Sequence, residues 1–348
     1  MIEKKGLNLL TELPKRFFDV KVEEVGELFS GPTLIHLKSD LKSKKSEKLP
    51  LFVSTLLHGN ETTGFYALQR WLIDLKPDNL HRDIMIFIGN VNAATANLRR
   101  NESEPDFNRI WNQACLNKYL FARELHTYLK NNRPVASIDV HNTSGDNPTY
   151  SCVNRLDMSA LDLAAEFSKI IVYFTQPDGV MTKMLSEISP AVTLESGRSQ
   201  DWVHIDEVAR YLSRCYEDVE SLLVSKKVHE SKVFHSLYRL EVHDSSDFMI
   251  SSDARDDCSL VIRKDLESLN FQELDSGTIF GWLNGKSKLR NHLSVYNESR
   301  EDVTDNVFEV KDGSIQLVRT LIPSMLTVSE PAIKLDCLGY LMERVELS

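Results

Sequence analysis

Short apolar runs alternate with segments of helical periodicity between residues 33 and 223. The predicted strands are 33–39, 50–57, 83–92, 135–143, 170–175 and 191–197. The predicted helices, in which apolar residues recur at helical spacing, are 61–77, 115–132, 157–170 and 199–223. We expect Pro77 to end the first helix and Asp157 to cap the third, with 38–48 as a charged, exposed loop. The alternation predicts an α/β sheet with helices on both faces.

The pattern changes after about residue 228. Strand-like pieces such as SKVFHSLYRLEVH (231–243), GTIFGWL (277–283) and AIKLDCLGYLMERV (332–345) follow one another between turn residues, and helical periodicity is weak. We therefore predict an α/β domain over residues 1–228 and a smaller, mostly β domain over residues 229–348.

The charge of the chain excludes one class of partner. Lys and Arg number 41 and Asp and Glu number 51, so the formal net charge is −10. A general nucleic-acid binder would need the opposite sign, although a local arginine cluster can still bind a small anion.

Cysteines and apolar runs indicate the compartment. The five cysteines are scattered without a CxxC spacing, which favours free thiols in a reducing compartment over disulfides or a thiolate metal site. The N-terminal segment has no secretory apolar core, and no apolar run approaches the ~20 residues that span a bilayer. We expect a cytoplasmic protein without a membrane partner.

Histidine and glutamate follow a predicted strand in the stretch LLHGNETTG (56–64). His58 and Glu61 are three positions apart where the strand should give way to a helix, so both side chains can face one cavity. His141 ends another predicted strand and follows Asp139 closely. Two imidazoles and one carboxylate suit Zn²⁺ and leave a fourth position open for water, as catalytic zinc requires.

The ordinary alternative is that these histidines are structural. A single histidine beside an apolar strand is more often hydrogen-bonded in the core than bound to metal, and HxxE by itself is a weak signal. The other histidines lack this context and are interpreted as structural or surface residues: His36, His81, His126, His204, His229, His235, His243 and His292.

A third polar residue follows an apolar run at AVTLESG (191–197). Glu195 ends this predicted strand, and the carboxyl ends of strands in an α/β sheet form the usual ligand edge. A zinc hydrolase needs a base there to take a proton from water and pass it to the leaving amine. Without the metal pattern, a structural role for Glu195 would be favoured.

Arginines cluster in the segment 90–111. Arg99, Arg100 and Arg109 lie close together, with Asn108 beside the last. An arginine can grip a carboxylate in bidentate fashion, and a second one can stabilise an oxyanion. The alternative is a solvated turn in which the arginines pair with nearby acidic residues.

HGNET, DFNRIW, DVHNT and TLESG occur in this order between residues 58 and 197, and together they resemble the succinylglutamate desuccinylase/aspartoacylase family. The C-terminal segment from Ile322 also resembles the closing β segment of that family. The resemblance implies a zinc-carboxypeptidase-like mixed sheet flanked by helices, with the β domain capping the site.

The resemblance also implies roles for single residues. His58, Glu61 and His141 match the ligands of one zinc ion per chain, and Glu195 matches the general base and acid. Residues expected to bind the substrate are Asn108, Arg109, Asn142 and Thr143, with Arg198 and Tyr150 as further pocket members. The oxyanion-stabilising arginine is either Arg99 or Arg100, because the spacing before DFNR departs from the family pattern.

The reaction implied is hydrolysis of the amide bond of a small N-acylated, carboxylate-bearing amino acid. Two rivals stay open: a zinc carboxypeptidase that acts on peptides or peptidoglycan fragments, and a metal-dependent binding protein without catalysis. The sequence does not separate desuccinylase from aspartoacylase, and it leaves a homo-oligomer open.

Overall fold

The computed structural model describes residues 2–39, 48–75, 80–143, 145–255, 257–285 and 288–347. Most of the predicted loop 38–48 and the predicted helix end at Pro77 lie outside these residues. Two units form, one from Met1–Asn142 and Thr149–Lys232 and the other from Thr143–Pro148 and Val233–Ser348. The boundary drawn from sequence at 228/229 lies close to the later of these divisions.

A mixed sheet forms the centre of the first unit. Its strands are β1 (Asn8–Leu10), β2 (Thr33–Leu37), β3 (Leu51–Thr55), β4 (Ile84–Ile88), β5 (Ala136–His141), β6 (Tyr150–Val153), β7 (Ile170–Tyr173) and β8 (Ala191–Glu195). They lie in the order β1-β2-β4-β3-β5-β8-β6-β7. The pairs β2–β4 and β6–β8 are antiparallel and the other neighbours are parallel. The predicted mixed α/β sheet is confirmed.

Helices connect and cover these strands. They are α1 (Thr63–Leu75), α2 (Val91–Thr95), α3 (Gln113–Lys118), α4 (Leu120–Asn131), α5 (Met158–Phe167), α6 (Met181–Leu185) and α7 (Trp202–Leu222). Every residue of β3, β4, β5 and β8 is buried, as expected for strands that are covered on both faces and therefore read as continuous apolar runs. Asp157 caps α5 as predicted, since its side chain accepts a hydrogen bond from Ala160 N at 3.0 Å.

The predicted helix 115–132 is wrong in one respect, because the structure has two helices there. Tyr119 is extended (φ −100°, ψ 111°) and separates α3 from α4. The break lets both Leu116 and Phe121 enter one apolar cluster, where the Phe121 ring stacks on Phe107 at 5.0 Å between centroids. Tertiary packing therefore overrides a helical periodicity that runs through this point.

The second unit is mostly β. Its strands are β9 (Lys232–Val242), β10 (Phe248–Ser251), β11 (Leu260–Arg263), β12 (Ile279–Leu283), β13 (Leu293–Tyr296), β14 (Phe308–Lys311), β15 (Ser314–Leu317), β16 (Ile322–Ser324) and β17 (Gly339–Val345), with short helices α8 (Thr304–Val307) and α9 (Glu330–Leu335). β9 pairs with β13 and β17, and β17 pairs with β16. A separate sheet has the order β10-β11-β12-β15-β14.

One piece of the predicted β pattern is helical instead. The start of AIKLDCLGYLMERV belongs to α9, where Pro331 occupies the first turn, a position that proline tolerates well. The rest of that piece forms β17, whose Leu341 and Met342 are fully buried. No helix among the described residues has the length and apolar character to cross a membrane.

Candidate active site

A sharp turn follows β3 and presents the first two candidate ligands. The strand ends at Thr55, earlier than the sequence suggests, because Leu56 adopts a left-handed conformation (φ +57°). Leu56 O accepts a hydrogen bond from Asn90 N at 2.6 Å, which fixes the turn against the next strand end. Gly59 then passes so close to α2 that a Cβ atom would lie 2.2 Å from the Ala93 carbonyl carbon, so only glycine fits there.

His58, Glu61 and His141 converge on one point. His58 Nδ1 lies 2.7 Å from Glu61 Oε1, and His141 Nδ1 lies 2.6 Å from Glu61 Oε2. One potential ligand atom from each residue lies within 4.8 Å of the others. The two histidine side chains are buried, and Glu61 sits at 9% exposure. The structure therefore brings together the three residues chosen from the sequence.

Each imidazole is held from behind by an aspartate. His58 Nε2 lies 2.9 Å from Asp106 Oδ1, and His141 Nε2 lies 2.9 Å from Asp139 Oδ2. Ser54 on β3 donates to the other oxygen of Asp139 at 2.6 Å, and those two residues are also paired in the β3–β5 ladder. A carboxylate on one ring nitrogen fixes the ring and leaves the other nitrogen free to ligate a metal.

The charges inside this cluster shift its proton affinities. Burial raises the pKa of Glu61, but the electrostatic attraction and the hydrogen bonds of His58 and His141 outweigh burial and lower this pKa. Burial lowers the pKa of His141, but the carboxylates of Asp139 and Glu61 outweigh it and raise this pKa well above its usual value. A site that stabilises a proton on the buried His141 imidazole also stabilises a cation in place of that proton.

The donor set fits zinc. Two imidazole nitrogens and one carboxylate are a known ligand set of catalytic zinc, with one position open to water. A buried atom beside the cluster supports this fit: Glu195 Oε2 has no hydrogen-bond partner among the residues that the structure describes. A buried carboxylate oxygen is costly without a partner, so an occupant of the site that donates to Glu195 would satisfy it.

Glu195 ends β8 directly beside His141. The parallel β5–β8 ladder pairs the two residues in register, so both stand at the same edge of the sheet. Burial raises the pKa of Glu195 to about 8; His141 opposes this shift, whereas Glu61 adds to it. A carboxyl group with a pKa near neutrality can both accept and return a proton, which is the property that a general base and acid needs.

The two arginines that are candidates for stabilising the oxyanion contact different residues. Arg99 reaches the cluster: its guanidinium lies 3.2 Å from Asp106 Oδ2 and 3.7 Å from Glu61 Oε1. Arg100 instead donates to the backbone carbonyl of Glu104 at 3.2 Å. Among the described residues, Arg99 is thus the member of this pair that forms ion pairs within the ligand cluster.

Asn108 and Arg109 lie next to the same cluster. Asn108 Nδ2 is 3.5 Å from His141 Nε2, and Asn108 Oδ1 accepts from Met181 N at 2.9 Å. Arg109 is half-buried and donates to the Asn108 carbonyl at 2.9 Å. Gly179 packs on the Arg109 carbonyl so closely that a Cβ would lie 2.5 Å from that oxygen.

The other four residues expected to contact the substrate differ in how far they are buried. Asn142 is buried and its amide is bonded within the first unit, and Thr143 is buried and assigned to the second unit. Tyr150 is buried and pairs with Glu195 in the β6–β8 ladder, whereas Arg198 is exposed. The roles of these four residues stay predictions.

Sequence reasoning missed several supporting residues. Asp106 is one of the acidic residues near the arginines, and its position in DFNR beside Asn108 and Arg109 is a signal that could have identified it. Asp139 lies two residues before His141, and such residues share one face of a strand. Ser54 carried no signal, because serine in a strand is too common to point to a role.

Comparison with known proteins finds a family model that matches part of this chain. Residues 49–212 match the model of the succinylglutamate desuccinylase/aspartoacylase catalytic domain. A comparison with curated proteins finds no match.

Several solved structures share the fold at low identity. Succinylglutamate desuccinylase from Chromobacterium violaceum is 15% identical with a TM-score of 0.54, covering 86% of each chain. Murine aminoacylase 3 is 16% identical with a TM-score of 0.57, covering 87% of this chain and 97% of its own. A desuccinylase structure from Vibrio parahaemolyticus is 12% identical with a TM-score of 0.55, covering 90% of this chain and 86% of its own. Residues 49–212, which contain all four sequence motifs, therefore resemble the catalytic domain of the succinylglutamate desuccinylase/aspartoacylase family.

Proposed function

We propose that this protein is a zinc-dependent hydrolase that cleaves the amide bond of a small, carboxylate-bearing N-acyl amino acid. The observation that carries the proposal is the convergence of His58, Glu61 and His141 beside a buried Glu195 whose Oε2 has no partner among the described residues. The match of residues 49–212 to the desuccinylase/aspartoacylase catalytic domain supports a deacylase over a peptidase.

The three ligands would hold one zinc ion, which supplies Lewis acidity for activating water and polarising a carbonyl. Glu195 takes a proton from the attacking water and later returns it to the departing amine. Its burial, which raises its pKa to about 8, makes the carboxylate a stronger base than a solvated glutamate.

Arginine and asparagine side chains would place the substrate. Arg99 is the better of the two oxyanion candidates, because it lies 3.7 Å from Glu61 and Arg100 is engaged with Glu104. Asn108 and Arg109 would grip the substrate carboxylate and so fix the scissile amide bond over the metal site.

The test is release of free amine by the zinc-loaded protein. The panel holds N-acetylaspartate, N-succinylglutamate, other N-acyl amino acids and peptides with a free C-terminus. Glu195→Gln should lower turnover by about 10²- to 10⁴-fold with zinc retained, the range for loss of a general acid–base group. Glu187→Gln, an exposed control, should leave turnover unchanged.

Each outcome distinguishes between a deacylase, a carboxypeptidase and a binding protein. Release from an acyl amino acid that depends on Glu195 supports the proposal and gives the substrate class. Release from peptides alone would indicate that the protein is a carboxypeptidase. Bound zinc without any release would support a binding protein and overturn the proposed reaction, and full turnover in Glu195→Gln would remove Glu195 from the mechanism.

A further inference from the structure

Asn142 lies where three segments of the first unit meet. It follows His141 at the end of β5 and contacts Thr63 at the start of α1. It also contacts Ser196 and Gly197, which come directly after β8. These segments carry, respectively, a candidate metal ligand, the turn that presents Glu61, and the strand that ends at the candidate base.

The amide N–H groups of Asn142 are engaged with protein atoms. Its Nδ2 donates to Thr63 Oγ1 at 2.8 Å, to Gly197 O at 2.8 Å and to Ser196 Oγ at 3.2 Å. Its Oδ1 accepts from Thr63 N at 3.2 Å and lies 3.2 Å from Ser199 Oγ. An amide has two N–H groups, and these contacts use both, so the Asn142 side chain has no donor left for a substrate.

Ser199 connects the segment after β8 to the turn that carries Glu61. Its Oγ accepts from Thr62 N at 2.9 Å and lies 2.8 Å from Asn60 O. Asn60 and Thr62 are the residues on either side of Glu61 in the chain. A single hydroxyl that follows β8 therefore binds the backbone on both sides of the candidate ligand.

The backbone of Asn142 also touches that ligand. Asn142 N donates to Glu61 Oε2 at 3.3 Å, on the same oxygen that His141 Nδ1 approaches. This contact does not involve the Asn142 side chain, so substitution of the side chain leaves the donor in place. The effect of the amide can thus be separated from the effect of the backbone.

We propose that Asn142 and Ser199 are positioning residues that hold the turn carrying Glu61 at a fixed distance from the strand end carrying Glu195. The inference rests on the proposed function, since it takes Glu61 as a metal ligand and Glu195 as the base. Neither side chain contacts the substrate in this role. Buried polar groups that fix ligands from outside the coordination sphere affect metal affinity and activity by about 10- to 100-fold.

The first readout is metal binding, which needs no substrate. Asn142→Ala and Ser199→Ala should each weaken Co²⁺ and Zn²⁺ binding by about 10- to 100-fold in competition with a chelator, and should change the visible absorption of the cobalt protein. Ser199→Thr keeps the hydroxyl and should restore both. The double variant should cost less than the two single losses combined, because both residues act on one turn.

Asn270→Ala is the matched control. Asn270 is a buried asparagine of the second unit, with amide bonds to Asp146 O, Leu326 O and Leu326 N. Its loss should lower the melting temperature and leave the cobalt spectrum and metal affinity unchanged. Should Asn142→Ala fail to fold, Ser199→Ala with its threonine rescue carries the same test.

Steady-state kinetics separates positioning from substrate binding. A positioning role predicts a lower kcat with unchanged KM in Asn142→Ala, whereas a substrate contact predicts a higher KM with unchanged kcat. Wild-type metal affinity and an unaltered cobalt spectrum in both variants would overturn the inference. If no substrate of the panel is hydrolysed, the proposed function is wrong, but the metal-binding measurements still test the positioning role. If the wild type binds neither cobalt nor zinc, the proposed function and the positioning role are both wrong.

Discussion

Asp106 Oδ1 lies 2.9 Å from His58 Nε2, on the side of the imidazole ring opposite to the nitrogen that faces Glu61. The other Asp106 oxygen lies 3.2 Å from the Arg99 guanidinium. One carboxylate thus orients both a candidate metal ligand and the candidate oxyanion arginine. Burial raises its pKa, but His58 and Arg99 outweigh burial and hold the pKa well below its usual value.

Asp106→Ala should therefore weaken zinc binding by about 10- to 100-fold, because His58 loses the acceptor that orients its ring. Asp106→Asn keeps an oxygen acceptor for His58 and removes the negative charge that faces His58 and Arg99, so zinc affinity should fall less than in Asp106→Ala. Zinc affinity is measured by chelator competition, with the exposed Asp253→Asn as control. Wild-type affinity in Asp106→Ala would contradict the orienting role.

Gly179→Ala should raise KM and leave zinc affinity unchanged. The new Cβ would lie 2.5 Å from the Arg109 carbonyl, and Gly179 has φ +79°, so the segment carrying Asn108 and Arg109 must shift. Gly277→Ala is the matched control, because Gly277 has φ +88° but its Cβ would meet only a side-chain oxygen at 4.0 Å.

Both alanine variants should lose stability through backbone strain, by about 1–3 kcal/mol, and only Gly179→Ala should change KM. The measurements are steady-state kinetics and urea unfolding of each variant. An equal rise in KM in both variants would assign the effect to strain rather than to a shift of the segment that carries Asn108 and Arg109.

Asp83 should make the first unit sensitive to acid. Burial raises its pKa, but hydrogen bonds from Ser39 N and Oγ, Lys38 and His36 outweigh burial and lower it to about 2. A carboxyl group whose pKa falls on folding stabilises the fold above its unfolded pKa, near 3.9, and this contribution is lost as the pH falls through about 2.

Asp83→Asn should therefore reduce the free energy of unfolding at pH 6, and the difference from wild type should shrink steadily below pH 4. Urea unfolding between pH 6 and pH 3 measures this difference. The exposed Asp244→Asn should track the wild type throughout. A difference for Asp83→Asn that stays constant with pH would show that its carboxylate is not the group responsible.

Cys115 should be the one thiol that alkylates in the native protein. All five cysteines are free, and Cys152, Cys215, Cys258 and Cys337 are buried whereas Cys115 is half-buried. Burial raises the pKa of Cys215 to about 12, which suppresses its thiolate further. Mass spectrometry after brief iodoacetamide treatment should show a single addition, and Cys115→Ser should abolish it. Rapid native labelling of Cys215 would contradict the packing of α7.

The six central strands from β2 to β5, β7 and β8, and the gathering of the site residues, could be predicted from the sequence for a physical reason, whereas the short strands β1 and β6 and the short helices α2 and α6 were missed. Apolar runs had to become covered strands, and His58, His141 and Glu195 follow three such runs directly. The carboxyl ends of neighbouring parallel strands share one edge, so residues that are distant in the chain become neighbours there. Glu61 could be included because a tight turn places it within reach of His58.

Other features depend on tertiary contacts that no local pattern records. The break at Tyr119 exists because two sides of one helical pattern enter the same core cluster. Arg99 and Arg100 are chemically identical, and only the fold directs one toward Asp106 and the other toward Glu104. The left-handed Leu56 shortens the predicted strand, and leucine gives no hint of such a conformation.

The β5–β8 ladder has a consequence for motion. His141 and Glu195 are paired in register by backbone hydrogen bonds between two fully buried, central strands. Buried central strands exchange their amide hydrogens only through the largest openings of a protein. The spacing between His141 and Glu195 therefore belongs to the slowest-exchanging part of the unit, and we expect it to persist while the surrounding loops fluctuate.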